Sequence, residues 1–237
     1  MKLVVCSDAH LDHQTIGVSR FAEVEGAMWK AARAAVEGKV DAFLFLGDLC
    51  DPDSGPVVFR CLRTALQVAA YLEQQEVRSV WLSGNHCVLE DGTGETVLEP
   101  LKRHALDSSE WVHVADRPRL IRSVGWPPIM CLPFTASSHG YDPAAAVEEH
   151  VGELRGVVTI GHLHVPGIIP GEETTEMPRG REVVFPVEAA KKVSSLMLNG
   201  HFHRRQVSPD GVHIPGSLAR LTFGEEDHQP SFMVIEL

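Results

Sequence analysis

Short apolar runs that each stop at a polar cluster constrain this chain more than any other feature. Lys2–Cys6 stops at Ser7-Asp8-Ala9-His10, Ala42–Leu46 at Gly47-Asp48, and Val77–Leu82 at Ser83-Gly84-Asn85-His86. Each run is largely apolar, the first of them β-branched, and too short for a helix, so it reads as a buried strand. Between them lie an Ala-rich stretch, Phe21–Val36, and a Leu- and Ala-rich one, about Val57–Gln74, with apolar residues at helical spacing. This alternation predicts a parallel sheet with helices on its faces. Sites in such sheets form at the carboxyl ends of the strands, which is where the three clusters fall.

The second half repeats the device with shorter strands. A helix near Glu95–His104 is followed by strand readings at Val112–Ala115, Leu120–Val124 and Ile129–Leu132, then a helix near Pro143–Val151. Val157–Ile160 runs into Gly161-His162, and Leu196–Leu198 into Gly200-His201-Phe202-His203. Strands at Arg204–Val207, Val212–Ile214 and Phe232–Ile235 close the chain, while the Gly- and Pro-broken stretch Pro166–Phe185 reads as a long loop. Two sheets packed face to face, with helices outside, accommodate this order. At 237 residues with no linker, repeat or charge block, one continuous domain over residues 1–237 is expected.

Composition narrows the setting. No stretch approaches the roughly 20 apolar residues of a membrane span, and the Met1–Cys6 run reaches Asp8 too soon for a secretory core. Cys6, Cys50, Cys61, Cys87 and Cys131 form no CxxC pair, which suggests reduced thiols in the cytoplasm rather than a disulfide framework. The formal charge of −11 is a poor match for a phosphate backbone unless basic residues cluster locally or bound cations offset it.

The clusters hold carboxylates, imidazoles and one amide. That is the donor set of a two-cation hydrolytic centre, in which ions about 3.5–4 Å apart activate a water and clamp a phosphate. Asp48 is the candidate bridge. In Asp8-Ala9-His10, alternate residues of an extended chain would converge on one ion; His201 and His203 would do the same, or be sent to different ions by a loop. Asn85 offers a neutral oxygen. Glycines before Asp48, Asn85, His162 and His201 would let the backbone turn sharply beneath the ions. Oxygen and nitrogen donors without thiolate suit manganese, iron or zinc better than calcium. A lone Gly-His pair means little in a chain with 13 histidines; the ordered set at successive strand ends is what points to metal.

Asp8-Ala9-His10, Gly47-Asp48-Leu49-Cys50-Asp51, Gly84-Asn85-His86, Gly161-His162 and Gly200-His201-Phe202-His203 together resemble the calcineurin-like metallophosphoesterase superfamily, in its order. The resemblance implies a four-layer αββα sandwich of the α/β (α+β) class with two divalent cations, manganese first, at the sheet edges. It implies one cation on Asp8, His10, Asp48 and His203, and the other on Asp48, Asn85, His162 and His201. His86 would be a non-ligand that stabilises charge or protonates the leaving oxygen, with a metal-bridging hydroxide as nucleophile.

Ser7 to Leu11, Gly200 to Gln206, Pro215-Gly216-Ser217-Leu218 and Leu221-Thr222-Phe223-Gly224-Glu225 further resemble the SbcD-type DNA repair exonuclease subunit. DNA as substrate and an SbcC-type ATPase as partner follow as expectations, without a separate capping or ATPase-binding domain. The alternative is a phosphatase or phosphodiesterase for nucleotides or other small phosphoesters; a scaffold without chemistry would have lost ligands that are all present. The 57–74 helix offers a homodimer face or, more simply, a core face. Around the clusters, His164 reads as a neighbour of the ligands, Asp12 and His13 as loop residues that either face solvent or substrate, and Asp51 as an orienting group. Arg204, Arg205, Arg179 and Arg181 are candidate phosphate or backbone contacts.

Overall fold

The computed structural model describes residues 1–89, 93–135, 140–169 and 183–237. The first sheet contains β1 (Lys2–Cys6), β4 (Ala42–Phe45), β5 (Arg78–Leu82) and β6 (Val112–Ala115) in parallel, with β13 (Met233–Glu236) antiparallel to β1 at one edge. The second places β11 (Gln206–Val207), β12 (Val212–Ile214), β10 (Ser194–Asn199), β9 (Val157–Gly161), β8 (Ile129–Leu132) and β7 (Arg119–Ile121) side by side. Its four inner strands run parallel and its two edge strands antiparallel.

The layers follow from strand alternation. Leu3 and Val5 of β1, Ala42 and Leu44 of β4, and Val80 and Leu82 of β5 pack against Ile129, Cys131, Val158, Ile160 and Leu198 from the other sheet. The alternate residues Val4, Cys6, Phe43, Phe45 and Trp81 face the other way, towards α1 (Phe21–Glu37), α2 (Val57–Gln74) and α3 (Glu99–Ser108). Met130, Leu132, Val157 and Met197 likewise meet α4 (Pro143–Val151) and α5 (Val187–Val193). The central strands β1, β4, β5, β8 and β9 are therefore buried on both faces along most of their length, which is why their runs are so apolar. Burial of each such side chain is worth roughly 1.5–3 kcal/mol. The outcome is a mixed α/β sandwich of two large sheets between helices.

Helix boundaries have local causes. α2 buries Cys61, Thr64, Ala65, Val68, Ala69 and Leu72, three or four residues apart. α4 starts where Asp142 accepts hydrogen bonds from the amides of Ala144 and Ala145, with Pro143 in the first turn. Several expectations shift. The third helix begins at Glu99, not Glu95, and β7 ends at Ile121, three residues before the expected Val124. A small hairpin, β2 (Gln14–Thr15) and β3 (Val18–Ser19), and the helix α5 carry too short a pattern to stand out in sequence. Of the loop expected over 166–185, residues 170–182 lie outside the described residues, Arg179 and Arg181 among them. Among the described residues, no helix is long and apolar enough to cross a membrane.

Candidate metal centre

Five strands deliver the polar clusters to one edge of the sandwich. Asp8 follows β1, Asp48 follows β4 and Asn85 follows β5, while His162 and His201 follow β9 and β10 of the facing sheet. Parallel registers bring the strand ends level: Cys6 pairs with Phe45, Phe45 with Trp81, and Gly161 with Asn199. Several bonds join the sheets here. The His201 amide donates to Asp8 Oδ1 at 3.0 Å, and His162 Nδ1 donates to the Leu46 carbonyl at 2.6 Å. Asn199, fully buried, accepts from the Leu163 amide and donates to the carbonyls of Leu163 and Gly200, so it clamps the two turns that carry His162 and His201.

The backbone turns in an unexpected way. Asp8, His10, Asp48 and His201 all have positive φ, at 51°, 42°, 57° and 76°. Asp8 and His10 thus converge through left-handed turns, not through the alternation of an extended strand. Each such residue costs on the order of 1–2 kcal/mol, a strain that functional sites tolerate. Gly47, at φ 104°, needs its freedom to turn. Gly84 needs the missing Cβ instead: that atom would overlap Asp48 Oδ1 and approach His162 Cε1 to 2.8 Å.

Three groupings of side chains place their donor atoms within 4.8 Å of one another: Asp8 with His10 and His203, Asp48 with His162 and His201, and His10 with Asp48 and His86. Asp48 lies between them, its Oδ2 3.1 Å from His162 Nε2 and 3.6 Å from His10 Nε2. Asn85 Oδ1 is 3.1 Å from both His162 Nε2 and His201 Nδ1. His201 and His203 go to different groupings, which resolves the two readings of that motif.

Several contacts require a cation or proton among them. With Nδ1 donating to Leu46, a neutral His162 turns the lone pair of Nε2 towards Asn85 Oδ1 and the Asp48 carboxylate. Burial would lower the His162 pKa, but the charge of Asp48 and its hydrogen bond win and raise it to about 9. Burial raises the Asp48 carboxyl, and the charges of His162 and its neighbours more than offset this, holding it well below the usual range. Asp8 is raised, first by burial, and its Oδ2 is buried with no hydrogen-bond partner. Burial pushes His10 well down and His201 down to about 3, so both offer unprotonated nitrogen. Lone pairs aimed at one another and an orphaned carboxylate oxygen fit divalent cations.

His86, grouped with His10 and Asp48, differs from the others in exposure, its side chain being 49% exposed. Its amide donates to Asp48 Oδ1 at 2.9 Å, its Nδ1 lies 3.9 Å from Asp51 Oδ2, and its ring centre lies 4.9 Å from that of His10. The flanking residues also find places. Asp12 accepts hydrogen bonds from the Asp51 amide and the Ser54 hydroxyl, and so shapes the loop bearing Asp51. His13 Nε2 donates to the Leu221 carbonyl instead of facing the cleft. His164 packs its ring 5.8 Å from Phe202 and belongs to none of the three groupings. Arg204 and Arg205 are exposed and line a cavity of about 340 Å³ with Asp227, His228, Gln229 and Ser231. All five cysteines are free and buried; Cys87 Sγ accepts from the Leu49 amide at 3.3 Å, tying the Asp48 turn to the Asn85 turn.

One participant escaped sequence reasoning as a site residue. Glu225, 6% exposed, accepts from His203 Nδ1 at 2.7 Å through Oε1 and from the Leu221 amide through Oε2. Its signal is present only as the last residue of the Leu221–Glu225 segment, with nothing to show which side chain it would meet.

The sequence profile of the calcineurin-like phosphoesterase family matches residues 1–205, and the chain belongs to that family. No curated protein sequence matches. Among solved structures, a dimetal phosphatase from Danio rerio is similar at TM-score 0.58 and 12% identity, over 99% of this chain and 91% of that one. The protein TT1561 of Thermus thermophilus is similar at TM-score 0.53 and 14% identity, over 91% of this chain and 89% of that one. A purple acid phosphatase from yellow lupin (Lupinus luteus) seeds is similar at TM-score 0.54 and 15% identity, over 86% of this chain and 38% of that one. At these identities the likeness concerns the fold.

Proposed function

We propose that this member of the calcineurin-like phosphoesterase family is a two-cation phosphodiesterase acting on DNA, with nucleotides or other small phosphoesters as the alternative substrates. The observation that carries the hydrolytic reading is the pair of buried groupings, Asp8–His10–His203 and Asp48–His162–His201, with Asp48 Oδ2 3.6 Å from His10 Nε2 and a half-exposed imidazole beside them. Asp8, His10, Asp48 and His203 would hold one cation; Asp48, Asn85, His162 and His201 the other. When bound, the two ions would lower the pKa of a water, grip the phosphate and offset the charge of an in-line displacement. Manganese is the first choice, since the donors are oxygen and imidazole nitrogen and the thiols lie outside the groupings.

The chain's own residues supply the rest. Asp48 Oδ1 accepts from the His86 amide, and Oδ2 lies 3.1 Å from His162 Nε2 and 3.6 Å from His10 Nε2, so Asp48 would serve both cations. The same bond fixes the His86 backbone against the centre. With Nδ1 3.9 Å from Asp51 Oδ2, the His86 ring would deliver a proton to the ester oxygen as the P–O bond breaks. The DNA reading draws support from the SbcD-like closing segment and from Arg204 and Arg205, which have no carboxylate partner among the described residues. The charge of −11 is what keeps the small-phosphoester reading alive. An SbcC-type ATPase partner, a homodimer through the face of α2 that bears the exposed Phe59, and a cytoplasmic setting belong to the same proposal.

The test is a substrate panel on manganese-loaded protein: linear duplex DNA, single-stranded DNA, bis-p-nitrophenyl phosphate and nucleotides, with Asp48→Ala as control. DNA cleavage that depends on manganese and vanishes in the control is expected. Turnover confined to the small esters would transfer the function to the alternative. Full activity in Asp48→Ala would refute the mechanism common to both.

A further inference from the structure

Beyond the proposed ligands themselves, one buried carboxylate meets one of them from behind. Glu225 sits on a 3-10 turn (Phe223–Glu225) late in the chain, 22 residues after His203, yet the two side chains meet in the interior at 2.7 Å. A buried carboxylate is expensive unless its oxygens are satisfied. Both are: Oε1 by His203 Nδ1 and Oε2 by the Leu221 amide. The Leu221 carbonyl in turn accepts from His13 Nε2 at 2.9 Å and from the Thr15 hydroxyl at 2.7 Å, three and five residues after His10.

The chemistry of this arrangement is directional. A carboxylate can only accept, so His203 Nδ1 carries the hydrogen and Nε2 carries the lone pair. That nitrogen faces the Asp8–His10 side, 3.2 Å from His10 Nε2. A carboxylate behind a ligating imidazole locks its tautomer, fixes the ring plane and raises its basicity. The grouping around Asn85 is built differently, because there His162 donates to a neutral backbone carbonyl. The two cation positions would therefore differ in the charge standing behind their histidines.

We propose that Glu225 is a positioning residue which, resting on the two-cation reading above, fixes His203 for ligation and makes the Asp8–His10–His203 position the tighter of the two. Through Leu221 it also ties that position to the His13–Thr15 segment after the first ligands, so the closing segment of the chain holds the metal centre from behind.

The experiment is a chelator competition on the manganese-loaded chain, with bound manganese counted at each step, for wild type, Glu225→Gln and Glu225→Ala. Wild type should hold two ions and release them in two steps, the last being the Asp8–His10–His203 ion. The variants should lose that late step, with affinity down roughly 10–100-fold, and keep the other step unchanged. His203→Ala should reproduce the pattern. Two wild-type-like steps in folded Glu225→Gln would overturn the inference. A wild type that binds no manganese would instead remove the two-cation reading beneath it. Should the variants fail to fold, nitrogen-15 NMR of the wild-type His203 ring decides: hydrogen on Nδ1 is expected, and hydrogen on Nε2 in the metal-free chain overturns the proposal.

Discussion

His86 and His113 show how the same side chain does opposite work in two surroundings. His86 is half-exposed at the rim of the ligand groupings, held by its own amide and not by its ring. Its replacement by alanine should lower kcat by about 10²–10⁴-fold while the manganese content stays the same. The loss should shrink for esters of p-nitrophenol, whose leaving oxygen needs no proton. Steady-state rates against leaving-group pKa read this directly. His113 lies on β6, far from the chemistry in sequence, with Nε2 buried and unpartnered. Burial first, then the charges of Arg119 and Arg78, lower its pKa to about 4 from the ordinary 6.5. Below about pH 6.5 the unfolded chain binds this proton and the folded chain does not. Stability should thus fall between pH 6.5 and 4 with a slope approaching about 1.4 kcal/mol per pH unit, and this group adds no dependence above that window. Urea titrations of His113→Gln against wild type at several pH values check it, because the difference between the two isolates this group. A difference that does not vary with pH would sink the assignment.

At the scale of elements, the turns after the strands matter more than the strands. β1, β4, β5, β9 and β10 are ordinary buried strands whose apolar residues could be exchanged for others of similar volume. The turns after them are crowded: Gly84 lies against Asp48 and His162 with no room for a methyl group. Gly84→Ala should displace the Asp48 carboxylate and weaken manganese binding at the Asn85 grouping, while the sheets and their circular dichroism persist. Retention of two manganese ions at wild-type affinity would contradict this. The glycines were legible in the sequence, but their reason was only half so. Sharp turning applies to Gly47, whereas Gly84 is there because two sheets and a carboxylate meet over it.

For the whole molecule, the proposed ligands divide between the sheets. Asp8, His10, Asp48 and Asn85 follow strands of the first, and His162, His201 and His203 follow strands of the second. Cations bound between them would bind the folded state and have no counterpart in the unfolded chain. The melting temperature should therefore rise with free manganese, by an amount equivalent to about 1.4 kcal/mol per ion for each tenfold excess over its dissociation constant. Chelator should reverse the rise, and Asp48→Ala should abolish it. Differential scanning calorimetry across a manganese series is the measurement; a flat response would mean that the groupings hold no cation.

Much of this architecture was written in local pattern. The apolar runs, the helices between them and the polar residue at each strand end are all set by neighbours in the chain, so the succession of the main strands and helices could be read from residues alone. The Asp142-Pro143 start of α4 and the buried face of α2 are legible for the same reason. Other features depend on atoms distant in sequence, and no local pattern encodes them. The positive φ of Asp8, His10, Asp48 and His201, the division of His201 and His203 between groupings, and the meeting of Glu225 with His203 all arise where the two sheets close on each other. The runs of apolar residue and polar stop specify that a site exists and which atoms it offers. How those atoms face one another is decided by packing, because only the closed sandwich brings the strand ends within bonding distance.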